Sequence, residues 1–274
     1  TTELADKKGL EMAIAGSPGW SVTGGPWVEP KDAMKKYVWT ETRIIGGQTF
    51  NGKLAHPSSV TSKFQNVELP KTSMLGESTG VLPSYYADAA VIAYRLPDND
   101  KNFIELNPKL TTSGGTFNLK DLSDGDLNNA SFLPPMQVDE DMWVQYEFET
   151  PQTFKAISIT GAIHSSLEDF NGGPLNRTLK MSNDGITFKE VTAISGSIVP
   201  QNTVSFAPTT AKYWRMAFKT LPPPVNPFAS MFGANTGPAK SDGVNVAEFV
   251  LYTSDRIDQV EDKAGFTPWK EDTK

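Results

Sequence analysis

Between Gly16 and Trp27 the chain reads Gly-Ser-Pro-Gly-Trp-Ser-Val-Thr-Gly-Gly-Pro-Trp. Glycine lets backbone pass close to a ligand or turn through positive φ, and proline stiffens the turns between. Tryptophan offers a flat apolar face with one donor, a shape that packs against a sugar ring. Trp20, Ser21, Gly24, Gly25 and Trp27 are therefore the candidate substrate-binding residues, with the tryptophans for stacking and the glycine amides for hydroxyl groups. A structural loop whose two tryptophans plug a core accounts for the same composition.

Other chemistries find less support. The chain has no cysteine, which excludes disulfides, thiolate zinc sites and a cysteine nucleophile. Its two histidines, His56 and His164, lie too far apart in sequence to suggest a histidine-rich metal site. Gly19-Trp20-Ser21-Val22-Thr23 lacks the glycine that follows the serine in a nucleophile elbow. Glu11, Glu29 and Glu41 are the acids nearest the loop, and each has a plain role. Glu11 and Glu41 alternate along strand-like runs, and Glu29 precedes a short helix whose positive end favours it. None is assigned as a catalytic acid or base.

Length and charge set the wider frame. The 274 residues suffice for one large domain or two ordinary ones, and no apolar run reaches membrane-spanning length. A net charge of −7 with scattered lysines and arginines argues against nucleic acid as a partner. The start, Thr1 to Lys8, reads as the end of an amphipathic helix with neither initiator methionine nor leader character, so the expectation is a chain beginning inside a domain.

The elements that must position the loop change in texture along the chain. Leu10–Ala15 alternates like a short strand, Glu29–Lys36 reads as a short helix, and Tyr37–Ile45 and Ala87–Arg95 read as strands. From about Leu106 to Tyr252, short strand-like runs recur between Gly, Asn, Asp and Pro turns: 143–148, 154–160, 178–182, 187–191, 213–218 and 247–252. That spacing predicts an antiparallel sandwich. The Pro/Gly/Asn-rich segment 221–243 is a long excursion within it, and 255–266 predicts a short helix ending near Gly265.

Five signatures in order tie the middle region to a known fold. They are Leu122-Ser123-Asp124-Gly125-Asp126, Trp143, Met181-Ser182-Asn183-Asp184-Gly185 with Phe188, Ala211-Lys212-Tyr213-Trp214-Arg215, and Ala247–Tyr252. Together they resemble the galactose-binding-like, or discoidin-type, β-sandwich. The resemblance implies a structural calcium ion between an early loop and the last strand, and Asp124, Asp126 and Glu248 match those positions. The alternative is that Asp124-Gly125 is simply a turn and Glu248 a solvated residue.

The two ends carry a second resemblance. Gly16–Ser21, Gly24–Val28, Ala33–Lys36 and Val38–Thr42, with Arg256-Ile257 and Glu261–Phe266, look like glycoside hydrolase family 106, bacterial α-L-rhamnosidases. This implies a mainly β chain in which a galactose-binding-like antiparallel β-sandwich, residues 98–253, is inserted into part of a (β/α)8-type catalytic barrel. Residues 1–97 would be a partial barrel segment carrying the substrate-face loop, and 254–274 the return towards the barrel. A whole barrel takes about 250 residues, so this chain is expected to be one piece of a longer enzyme. The implied activity is inverting hydrolysis of terminal α-L-rhamnosyl residues, with both catalytic carboxyl groups outside this chain. Implied partners are a rhamnose-containing carbohydrate and the remainder of the same enzyme, in the periplasm or outside a bacterial cell. A non-catalytic carbohydrate-binding or scaffolding module is the alternative function.

Overall fold

A computed structural model describes residues 2–12, 28–33, 35–57, 85–127, 129–161, 177–194, 201–220 and 243–266. The chain divides into two units, Thr1–Lys35 with Pro83–Ala90 and Lys36–Leu82 with Val91–Lys274.

In the first unit the opening residues form a six-residue helix α1, Thr2–Lys7, with no buried side chain. The helix predicted over 29–36 shrinks to a single 3-10 turn, Pro30–Asp32. Pro30 suits a first helical position, but no apolar face follows that could be buried, and a turn without burial does not propagate.

The second unit holds the sandwich, and the alternating runs are its strands: β1 (Lys109–Thr112), β2 (Ser131–Leu133), β3 (Asp141–Gly161), β4 (Arg177–Ser182), β5 (Lys189–Ile194), β6 (Gln201–Lys219) and β7 (Val244–Tyr252). Every ladder among them is antiparallel, in the order β2-β7-β3-β6-β4-β5 with β1 on the free side of β3. The barrel has no counterpart among these residues.

Two runs that sequence separates, 143–148 and 154–160, are one 21-residue strand, β3. It pairs with the 19-residue β6 along its length, with register shifts between Glu147 and Gln152 and between Phe154 and Ala156. Such shifts bend a ladder. One half of the β3–β6 ribbon therefore joins β1, β4 and β5, and the other half joins β7 and β2.

Between these layers lies the core. Met142, Val144, Tyr146 and Phe148 alternate inward from β3, meeting Trp214, Met216 and Phe218 from β6, Leu179 from β4, and Phe249 and Leu251 from β7. Phe154 meets Trp214 edge to face at 5.1 Å, and Tyr146 stacks on Phe249 at 4.4 Å. The Tyr146 hydroxyl, fully buried, donates to the Phe249 carbonyl at 2.7 Å, so this aromatic adds volume without leaving a polar atom unpaired.

Two expected strands are absent. Residues 37–45 and 87–95 join no ladder, although their side chains have strand character. A strand needs a hydrogen-bonding neighbour, and none is present among the described residues. Leu10–Met12 likewise joins no ladder, and the rest of the run predicted at 10–15 lies outside the described residues. The tail helix forms as the short α2, Val260–Lys263.

Candidate functional site

The sugar loop, Trp20, Ser21, Gly24, Gly25 and Trp27, lies outside the described residues. His164 does too. His56 sits against its neighbour Pro57, with Nδ1 at 2.8 Å from the Pro57 carbonyl oxygen. The three acids near the loop are exposed or engaged in ordinary pairs. Glu11 is exposed, Glu29 pairs with Lys31 at 2.6 Å, and Glu41 lies 3.7 Å from Arg256. No catalytic carboxyl pair emerges among the described residues.

Of the predicted cation site, Glu248 lies close enough to Asp124 and Asp126 for their charges to act on it. β7 carries Glu248 on the layer formed with β3, where it is 7% exposed. The 118–127 turn lies alongside, because the Phe249 amide donates to the Leu122 carbonyl at 2.9 Å. Asp124 folds this turn locally by accepting the Asp126 amide at 2.8 Å. Gly125 then takes φ +79°, a left-handed conformation that turns its amide onto Glu248 Oε1 at 2.6 Å.

Burial pushes the Glu248 carboxyl up to about 7, against the pull of the Gly125 amide, and the charges of Asp124 and Asp126 push it further. The same buried acid helps hold the Tyr146 hydroxyl well above the usual phenol range, after burial itself. The donor set, three carboxylates with hard oxygens, suits a calcium ion, and a buried anion facing two others is relieved by positive charge. Among the described residues, however, no three acidic or histidine side chains are already gathered as ligands. Glu248 instead engages the turn amide.

Of the remaining signatures, Trp214, Phe249 and Leu251 belong to the core, while Trp143, Phe188 and Arg215 pack together outside it. Arg215 lies between the rings of Trp143 and Phe188, 4.3 and 3.6 Å from their centroids. Its Nε and Nη2 both donate to Gln145 Oε1, at 3.0 and 2.7 Å. Asp184 tightens the β4–β5 hairpin by accepting from the Ile186 and Thr187 amides and the Ser182 hydroxyl, which together hold its carboxyl down at about 2. Gly185 at φ +74° then sits against the Tyr213 ring. These residues lock strands together and offer no reacting group.

One polar cluster went unread in the sequence. Glu261 of α2 is buried and accepts both the amide and the hydroxyl of Thr203 on β6, at 2.9 and 2.6 Å. Asp258 takes the Ser205 amide at 2.9 Å. The sequence of the tail predicts only a short helix; the position of β6 beneath it reveals the role of Glu261. Incoming chain lies against the same tail, with the Tyr37 amide on the Ala264 carbonyl at 2.9 Å and Trp39 at 5.5 Å from Phe266.

The sequence profile of glycoside hydrolase family 106, α-L-rhamnosidase, matches residues 1–274. The chain belongs to this family. A rhamnosidase from Novosphingobium sp. PP1Y is similar at 31% identity over 97% of the chain, with a TM-score of 0.66. The chain spans 21% of that enzyme's length. A 75-residue stretch is 31% identical to a Formosa agariphila protein provisionally named a β-glucuronidase, covering 26% of this chain and 6% of that one. The sandwich has distant likeness, 16% identity and a TM-score of 0.37, to a carbohydrate-binding module of Clostridium perfringens over 53% of this chain and 92% of the module. The sandwich, antiparallel throughout its described ladders, lies within a family 106 chain.

Proposed function

We propose that this chain is one part of an inverting glycosidase that removes terminal α-L-rhamnosyl residues from polysaccharides or glycosides. The observation that carries this reading is the family match along the whole chain, with 31% identity to a rhamnosidase over 97% of it. In this reading Trp20 or Trp27 packs on the deoxysugar, whose C6 methyl makes that face more apolar than a fully hydroxylated ring. Ser21 and the amides of Gly24 and Gly25 take the hydroxyl groups. Inversion needs one carboxylic acid to protonate the leaving oxygen and one carboxylate to activate water on the opposite face, some ~6.5–9.5 Å apart. Both belong to the remainder of the enzyme, which would act in the periplasm or outside a bacterial cell.

Asp124, Asp126 and Glu248 would hold a structural calcium ion, which supplies charge neutralisation at a turn and no catalytic step. The support is the buried Glu248 carboxyl, pushed up to about 7 by desolvation and by its two acidic neighbours.

The test is kinetic. In the full-length enzyme, Trp20→Ala and Trp27→Ala should each lower kcat/KM for an aryl α-L-rhamnoside by at least tenfold, the loss of about 1.4 kcal/mol of transition-state binding. Unchanged values for both would sink the assignment of the loop. The second reading, a carbohydrate-binding module, is favoured by the sandwich's self-contained core. Calorimetry of the chain against rhamnose-containing oligosaccharides separates the two, since heat of binding without turnover supports the module.

A further inference from the structure

Two runs of this chain have the composition of strands and the surroundings of none. Residues 38–45 and 91–95 contain Val38, Ile44, Ile45, Val91, Ile92 and Tyr94, residue types that favour a pleated, buried surface. Neither run belongs to a helix, a turn or a ladder. Among the described residues no backbone–backbone hydrogen bond involves either run, although just before the first one the Tyr37 amide donates to the Ala264 carbonyl. The first run is nonetheless held along one side. Trp39 meets Phe266, Glu41 meets Arg256, and Arg43 pairs with the buried Asp100 at 2.6 Å. Contacts at every second residue are the signature of an extended chain.

The apolar side chains show what is missing. Ile44 and Ile45 are 55% and 74% exposed, and Val91 and Ile92 are 77% and 78% exposed. In an extended chain, neighbours in sequence point to opposite faces. Each run therefore presents apolar surface on both faces at once, the pattern of an interior strand covered by a layer on either side. Within β1–β7 the contrast is plain, since Phe132 is the one large apolar residue exposed to this degree. Beside Arg43, Ile44 and Ile45 an open cleft of about 600 Å³ runs to Asp100, Asn102 and Leu106, wide enough to receive side chains from a neighbour.

We infer that residues 38–45 and 91–95 form a docking surface that adds β-strands from the remainder of the same enzyme, each run becoming an interior strand when its edges and faces are covered. This rests on the reading of the chain as part of a longer rhamnosidase. The occupant follows from length and chemistry. The Novosphingobium rhamnosidase matches nearly all of this chain while about four fifths of its own length lies outside the match. Unpaired edges flanked by apolar residues invite pairing with any available strand, so they persist in a working protein only where something covers them. A carbohydrate would satisfy neither the row of backbone amides nor apolar faces on both sides.

Hydrogen–deuterium exchange on the chain 1–274 and on the full-length enzyme tests this. Amides of 38–45 and 91–95 should exchange at least ~100-fold more slowly in the full-length enzyme, while the core of β3 exchanges alike in both. Equal rates at 38–45 and 91–95 in the two proteins overturn the inference. So does protection in the isolated chain that grows with its concentration, which would make a second copy the occupant. In the full-length enzyme, Ile92→Asp should lower soluble yield and melting temperature, whereas Ile186→Asp, on an exposed hairpin of the sandwich, should change neither; equal tolerance of both overturns it as well. Hydrolysis of an aryl rhamnoside is scored separately. Protection without rhamnoside turnover supports the docking surface while removing the proposed activity, and turnover without protection does the reverse.

Discussion

The Gly125 amide donates to the Glu248 carboxylate at 2.6 Å, joining a turn to a strand 123 residues away. This single bond holds a buried acid that burial has pushed up to about 7. A group whose folded value lies above its unfolded one of about 4.3 adds stability at low pH and loses it as the pH rises. In chelator the chain should therefore lose stability between about pH 4.5 and pH 7, on the order of 3 kcal/mol at most. Melting curves across that range check it. Glu248→Gln, which keeps an acceptor for Gly125, should flatten the profile, and calcium should raise the melting temperature above pH 7 only where Glu248 is intact. A flat profile in the unsubstituted chain would contradict the assignment.

Arg215 should resist conservative replacement. Lysine can neither lie flat between Trp143 and Phe188 nor give Gln145 two donors from one plane. Arg215→Lys is expected to destabilise the sandwich by about 1–2 kcal/mol, read from urea midpoints at constant slope. No loss would mean that the stack contributes nothing beyond surface coverage.

Two of the left-handed glycines, Gly125 and Gly185, should separate cleanly. A Cβ on Gly185 would lie 3.1 Å from the Tyr213 ring, whereas one on Gly125 would meet nothing within 4 Å. Gly125→Ala then carries only the backbone cost of about 1 kcal/mol, and Gly185→Ala carries that cost plus displacement of the ring, about 2 kcal/mol or more. The order of the two melting temperatures is the measurement.

Glu261 gives the sharpest local prediction. Glu261→Ala leaves the Thr203 amide and hydroxyl without their acceptor in a buried place, a loss of about 2–4 kcal/mol. Limited proteolysis should then cut first within 255–266, while Glu261→Gln, which can still accept from Thr203, should protect that segment more nearly as the parent does.

Much of this fold is written in alternation. Trp143 to Phe148 and Ala247 to Tyr252 show period-two patterns because one side of each strand enters the core, and sequence locates both. The short β1 and β2 carry too few residues for a period to emerge. At 37–45 and 87–95 the side-chain pattern is equally strong, yet no ladder forms, because pattern reports what a segment needs and not whether a neighbour is there to provide it. The site divides in the same way. Asp124, Asp126 and Glu248 were readable as a set, but the burial that raises Glu248 depends on Leu122 docking beside Phe249, a relationship between distant segments. Glu261 was unreadable for the same reason, since its environment is β6 and not its own helix.

The sandwich begins and ends at one point. The Lys101 amide reaches the Thr253 hydroxyl at 2.9 Å, that hydroxyl donates to the Asn99 carbonyl at 2.8 Å, and Ser254 pairs with Asp100. A domain whose first and last residues touch can be grafted into a loop, or lifted out, without parting the segments on either side, because its host sees only a short closure. Were the sandwich an insertion in a longer chain, its gain or loss would be a single genetic step that leaves the threading on either side unchanged.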